Sequence, residues 1–185
     1  RIAYCRELND QSSLAYSLHN LADFHHQFDG DYDLAFVYLN ESLSIARDLK
    51  DDIRVAWCLA LMGNISLFRQ QYAVALEHYY EGLAMFRSMD AGEGMYTCLG
   101  NIGIVYAAMG NYDEAYIVLD SYLKSAREDG DHWRLFAGLD NLGTLAYYRG
   151  DWVEARNYYE ECLALTQAAK AAGWENFIRK QFSRI

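Results

Sequence analysis

The sequence predicts an all-α fold, an α–α superhelix of four helix-pair repeats with partial helices at both ends. Three observations predict it. One motif returns at a constant forty-residue period, apolar side chains recur at helical spacing around each copy, and the chain contains no proline. A period of that length marks stacked supersecondary units, each packed on its neighbours. Average usage of about 5% would have supplied roughly nine prolines, so Pro-rich linkers and polyproline ligands are excluded.

The motif is aromatic-x-x-Ala, at Tyr32 and Ala35, Tyr72 and Ala75, Tyr112 and Ala115, Trp152 and Ala155. Leu43, Leu83, Leu123 and Leu163 follow eight positions after each Ala. Gly30, Gly110 and Gly150 stand two positions before it, with Gln70 as the exception. Upstream runs a second motif, Leu18 to Ala22, Leu59 to Gly63, Leu99 to Gly103 and Leu139 to Gly143. Its first step, from Leu18 to Leu59, is one position longer than the steps to Leu99 and to Leu139. The first repeat therefore carries one extra residue, near Phe28-Asp29-Gly30.

Taken in order, residues 1–9 read as the end of a preceding helix, because Ile2 to Leu8 matches Leu43 to Leu49. Residues 10–50, 51–90, 91–130 and 131–170 are the four repeats, and residues 171–185 open a fifth or form a capping helix, from Trp174 to Ile185. The chain is therefore expected to be a single solenoid fragment, an excerpt of a longer one with neither end capped. In the third repeat Leu99, Ile102, Tyr106 and Met109 form the apolar stripe of a first helix. Ala115, Leu119, Tyr122, Leu123 and Ala126 form that of a second. Gly110 can take the left-handed conformation that ends the first helix, and Asn111 stands at the cap of the second. Lys50-Asp51-Asp52, Asp90-Ala91-Gly92 and Asp129-Gly130-Asp131 punctuate the junctions between repeats.

Glycine within a helix costs about 1 kcal/mol relative to alanine. Its recurrence at Gly63, Gly103 and Gly143, with Ala22 in the first repeat, therefore predicts close approach of the second helix, with the regularly spaced Ala as the other half of the contact. The same packing accounts for Gly94 to Tyr112. This stretch has no charged residue but holds four glycines and two asparagines, which suits a first helix and not a membrane span.

Composition narrows the function. A net charge of −10, from 16 basic and 26 acidic residues, opposes binding to nucleic-acid phosphates and to anionic membranes. Cys5, Cys58, Cys98 and Cys162 show no metal-binding spacing and lie in apolar patterns, which points to core thiols in a reducing cytoplasm. Cys58 and Cys98 fall at equivalent places in adjacent repeats, too far apart for a disulfide. There is no signal-peptide pattern. His25 and His26 point about 100° apart on a helix and cannot share a metal, and His19 adds only a weak second ligand. P-loop, G-x-G-x-x-G, G-x-S-x-G and H-E-x-x-H signatures are all missing, so a non-enzyme without metal or cofactor is expected.

With these residues the sequence resembles the tetratricopeptide-repeat family, whose pattern W-x-x-L-G-x-x-Y then A-x-x-x-F is met by Leu99, Ile102, Gly103, Tyr106, Ala115 and Leu119. Leu139, Leu142, Gly143, Ala155 and Tyr159 match in the fourth repeat, with Ala146 in place of the tyrosine. The family's terminal proline is absent and the period exceeds the usual 34 or so. The longer variety is similar to the repeats of bacterial LuxR- and maltose-activator-type signalling regulators, and to those of animal spindle-orientation adaptors.

The resemblance implies a right-handed superhelix whose first helices line a concave face suited to a peptide or a partner helix. The position before the packing pair, occupied by Asn20, Leu61, Asn101 and Asn141, would present amides to a bound peptide backbone, since an amide both donates and accepts. Asn64 lies on the same face. His26, Leu67, Ala107 and Tyr147, with Gln27, Phe68, Ala108 and Tyr148, should follow along the groove, and Trp57 and Tyr16 stand at its opposite lip. The asparagines equally suit capping or inter-helix bonds, and most of the 16 tyrosines suit packing.

Two functions fit. One is a non-catalytic scaffold that recognises a protein or peptide segment, including one from another domain of its own full-length chain, with oligomers forming through the solenoid ends. The other is a sensor of a metabolite or sugar within a bacterial transcriptional regulator, where Trp57, Phe68 and Tyr148 would stack on the ligand.

Overall fold

The computed structural model describes residues 1–168 and Ile178. Among the described residues there are nine α-helices and one π-helical turn, and no strand. In chain order the helices are α1 (Ile2–Glu7), α2 (Gln11–Phe24), α3 (Tyr32–Leu49), α4 (Asp52–Phe68) and α5 (Tyr72–Ser88). There follow α6 (Gly92–Ala108), α7 (Tyr112–Asp129), α8 (His132–Arg149) and α9 (Trp152–Ala168). The chain divides into two compact units, Arg1–Cys98 and Leu99–Ile185.

Each boundary has a local cause. Asp10, Asp31, Asp51 and Asp131 accept hydrogen bonds from backbone N–H groups in the first turns of α2, α3, α4 and α8. Asn111 occupies the equivalent place before α7, but its side chain makes no cap bond. Every turn among the described residues contains one left-handed residue: Asn9, Gly30, Lys50, Gln70, Asp90, Gly110, Gly130 or Gly150. After each of these but Gly30 the next residue closes the preceding helix, as where Asp51 N–H donates to Ala46 O at 2.9 Å and Gln71 N–H to Ser66 O at 2.8 Å. Gln70, the exception in sequence, thus adopts the glycine conformation.

The extra residue of the first repeat is absorbed in His25–Asp29, a π-helical turn that continues α2. One i→i+5 turn takes in an additional residue without breaking the helix. From Gly30 onward the register matches the other repeats.

In the first unit Ala22, Ala35, Leu39, Leu59, Met62 and Ile65 share one buried cluster, while Cys5, Leu14 and Leu18 form another beneath α1. In the second unit Leu119, Leu123, Leu139, Leu142 and Tyr159 form the core, which Ile178 joins. Ile178 stands one full period after Gly138, in first-helix register. The rest of the first helix expected from Trp174 to Ile185 lies outside the described residues.

The first-helix glycines do meet the second helix closely, and the nearest atoms belong to a side chain one turn beyond the regularly spaced Ala. A Cβ at Gly63 would first meet the Tyr79 ring at 2.6 Å, one at Gly103 would meet Leu119 at 2.5 Å, and one at Gly143 would meet Tyr159 at 2.6 Å. These partners stand four positions beyond Ala75, Ala115 and Ala155, one turn further along the same face.

All four cysteines are buried and free. Burial pushes the thiols of Cys98 and Cys162 up to about 12 and raises that of Cys58. Cys58 Sγ lies 3.4 Å from Ser42 Oγ and 3.7 Å from His19 Nδ1. Burial lowers the pKa of His19, so this trio is a neutral packing contact and not a thiolate–imidazolium pair. No helix among the described residues is long and apolar enough to cross a membrane.

Candidate functional site

The second unit contains a cavity of about 370 Å³ walled by helices α6, α7 and α8. From α6 come Gly103, Ile104, Ala107 and Ala108, four residues that present almost no bulk apart from Ile104. α7 contributes Tyr112 from its first turn and Leu119 from below, where Leu119 fills the space left by the missing Cβ of Gly103. On α8, Asn141, Thr144, Leu145 and Tyr148 recur at intervals of three and four and so share one face. No lining side chain is charged. Asn141 and Thr144 supply donors and acceptors, and Tyr112 and Tyr148 add rings with hydroxyls.

Several sequence candidates come together here. Asn141, Ala107, Ala108 and Tyr148 line one cavity, with Tyr148 62% exposed at its mouth. Tyr147 is half-buried against the core of the second unit, edge-on to both Tyr148 and Trp152 at ring distances of 5.6 and 5.2 Å. Asn101 is half-buried on α6 and is not part of the lining. Thr144 and Tyr112 do not stand out in the sequence as site residues. A signal exists for Thr144, which holds in the fourth repeat the place of Asn64 in the second. The pattern marks Tyr112 only as the start of a second helix.

In the first unit the candidates are differently disposed. Asn20 is exposed beside an open hollow of about 540 Å³ that also involves Ser17, Leu21 and Phe24. Asn64 accepts a hydrogen bond from the Tyr79 hydroxyl at 2.6 Å, a bond between the two helices of its repeat. Trp57 packs edge-on against Phe86 at 5.0 Å, and Tyr16 lies under the guanidinium groups of Arg1 and Arg54. Phe68 is 62% exposed and meets the His26 ring edge-on at 4.9 Å and Tyr32 at 6.2 Å. Gln27 bonds Asp23 on the same helix.

His25 Nδ1 lies 2.8 Å from Asp29 Oδ2 across the π-turn, and its ring stacks on Tyr38. Among the described residues no group of three or more His, Cys, Asp or Glu side chains is placed to hold a metal ion. Asp140, next to Asn141 on α8, has a buried Oδ1 with no hydrogen-bond partner among the described residues. Burial raises its pKa to about 6.

Residues 13–88 and 95–168 match the tetratricopeptide repeat family. The chain is 32% identical over 109 residues to the photosystem I assembly protein Ycf3 of Rippkaea orientalis, covering 59% of this chain and 57% of that protein. It is 22% identical over 167 residues to human tetratricopeptide repeat protein 19, mitochondrial, covering 83% and 44% respectively. The chain thus spans about half the length of the curated relatives it matches. Its fold is similar to that in the crystal structure of aspartyl phosphate phosphatase F from Bacillus subtilis, with a TM-score of 0.80 at 17% identity over 89% of this chain and 43% of the other.

Proposed function

The chain belongs to the tetratricopeptide-repeat family, and from that premise we propose that it is a non-catalytic interaction module that binds a segment of a partner polypeptide on the first-helix face. One observation carries the reading. The cavity of the second unit gathers an amide, a hydroxyl and two tyrosines around an apolar floor with no charged lining residue. That is the composition of a site that grips a peptide by one side chain and its backbone. The 32% identical relative, named for assembling photosystem I, supports a role in binding other polypeptides.

The partner segment belongs to another protein or to a further domain of the full-length polypeptide. Asn20 and Asn101 are read as additional amide contacts, and exposed Phe68 as an aromatic contact of the first unit. The four free buried thiols suit a reducing, cytoplasmic setting. The long repeat period favours service in a signalling regulator.

The test is selection of a displayed library of random linear peptides on the purified chain, followed by titration of the enriched peptides. Asn141→Ala is expected to weaken them by about tenfold, as loss of an anchoring contact does, with the helical circular-dichroism spectrum retained. Binding should also weaken with added salt. A library that yields no binder overturns the reading, and affinity unchanged in Asn141→Ala removes the amide from it.

A further inference from the structure

The two units treat one position in opposite ways. In the first unit the His26 ring meets Phe68 at 4.9 Å and Tyr32 at 5.9 Å, so three rings close the space between the end of α2 and the end of α4. Counted from the repeat motif, the counterparts of Phe68 and Tyr32 in the second unit are Tyr148 and Tyr112. Both are present, and both face the cavity. Counted forward from the first-helix motif the counterpart of His26 is Ala107, followed by Ala108; counted back from Tyr112 it is Tyr106, whose ring packs against the core and does not line the cavity. The third ring is missing, and its place is empty space.

Resting on the reading of the chain as a polypeptide-binding module, we propose that this cavity is an anchor pocket for one uncharged aromatic side chain of the partner, flanked in the partner by Lys or Arg. The ring takes the position that His26 fills in the first unit, against Tyr112 and Tyr148 and over Ala107 and Ala108. A cavity of about 150 Å³ suffices for benzene, so about 370 Å³ accommodates a ring together with the backbone that carries it. Asn141, on the α8 wall, is the group that meets this backbone. A charged side chain would lose its hydration here without gaining a partner.

The flanks follow from charge. The second unit, residues 99–185, carries twelve carboxylates against nine Lys and Arg. Lys124, Arg127 and Arg134 are engaged with Asp120, Glu161, Asp129 and Asp131. The surplus is negative, and it favours a basic segment around a neutral anchor.

The same peptide selection decides this separately from the module reading. The enriched peptides should share one aromatic position flanked by Lys or Arg, and Ala108→Phe should bind them about tenfold more weakly by supplying the ring itself. The variant is compatible with folding because Ala108 is exposed and the second repeat carries Phe68 at this place. Ala107→Leu, the residue of the second repeat at the neighbouring position, gives the same test should Ala108→Phe not fold. N-acetyl-phenylalaninamide, the anchor alone, should compete with the peptides on the unaltered chain.

Peptides that bind equally well to Ala108→Phe and after replacement of their own ring by Ala overturn the anchor pocket and leave the module reading intact. Enrichment of acidic peptides, or of peptides without a ring, overturns it likewise. A library without binders overturns both.

Discussion

The hydroxyl of Tyr79 donates to Asn64 Oδ1 at 2.6 Å while its ring occupies the space a side chain at Gly63 would need. The fourth repeat repeats the device, with the Tyr159 hydroxyl 3.1 Å from Thr144 Oγ1 and its ring over Gly143. Burial pushes the Tyr79 phenol above its ordinary range, so it stays protonated and able to donate. In the third repeat Leu119 lies over Gly103, and Ile104 replaces the polar neighbour. One helix thus supplies a gap and, where the opposing side chain is a tyrosine, a polar group beside it.

Mid-helix glycines should therefore respond to alanine with opposite signs. At Gly63 the new Cβ would lie 2.6 Å from the Tyr79 ring, and overpacking of this kind costs about 1–3 kcal/mol, more than the roughly 1 kcal/mol of helix propensity gained. At Gly100 the nearest atom is Asn141 Nδ2 at 3.8 Å, an ordinary contact. Gly100→Ala should stabilise by about 0.5–1 kcal/mol. Urea unfolding followed by circular dichroism measures both, and a stabilised Gly63→Ala would show that the ring moves aside freely.

Lys50, Gln70 and Asp90 hold φ of 55°, 59° and 52° in the turns where other repeats use glycine. A side-chain-bearing residue in this region is disfavoured by roughly 1–2 kcal/mol, partly offset by the greater unfolded-state freedom of glycine. Lys50→Gly, Gln70→Gly and Asp90→Gly should each raise stability by about 0.5–1 kcal/mol. Thermal melting of the single and triple variants checks this. No gain in the triple variant would mean that these side chains stabilise their turns.

The helices and turns are legible because each is written four times, so the register of one repeat corrects another. Even the surplus residue near Phe28 is visible as one longer step, although spacing alone does not show that a π-turn takes it up. The site is less legible. Asn64 and Asn141 have the same residue type on the same face of a first helix, yet Asn64 bonds to Tyr79 and Asn141 faces a cavity. What separates them is their place in the repeat: the position of Asn64 meets the second-helix tyrosine, as Thr144 meets Tyr159, and that of Asn141, one turn earlier, does not. A single helix pattern does not contain that information. Half-buried Trp57, placed by the pattern at the lip of the groove, also packs edge-on against Phe86, a contact that its own helix pattern does not show.

Asp140 gives the chain a specific pH dependence. Burial raises its carboxyl pKa to about 6 from an ordinary 3.8. Below about pH 4 the group is protonated in both folded and unfolded chains and costs nothing. Between about pH 4 and 6 the unfolded chain ionises first, so stability falls with rising pH. At about 1.4 kcal/mol per unit, the loss reaches roughly 3 kcal/mol above pH 6. Asp140→Asn removes the titration. Its stability relative to the unaltered chain should be constant below pH 4, climb through the window and level off above pH 6. Parallel curves across pH 4 to 7 would place the carboxyl in water.

The π-turn at His25–Asp29 makes deletion tolerance position-dependent. Removing the exposed Gln27 brings the first repeat to the spacing of the others and lets the turn close as an α-turn, while Ala22 and Leu39 stay in their shared core. The expected change in melting temperature is under about 2–4 °C, the equivalent of about 1 kcal/mol at this chain length. Removing Asn20, equally exposed but ahead of Ala22, rotates every earlier residue of α2 by about 100° relative to those after it. Leu14 and Leu18 then leave the core, a loss of several kcal/mol on the scale of buried-leucine truncations. Comparable melting of the two deletions would mean that the first repeat absorbs a register shift anywhere along α2, and that the π-turn has no special part in it.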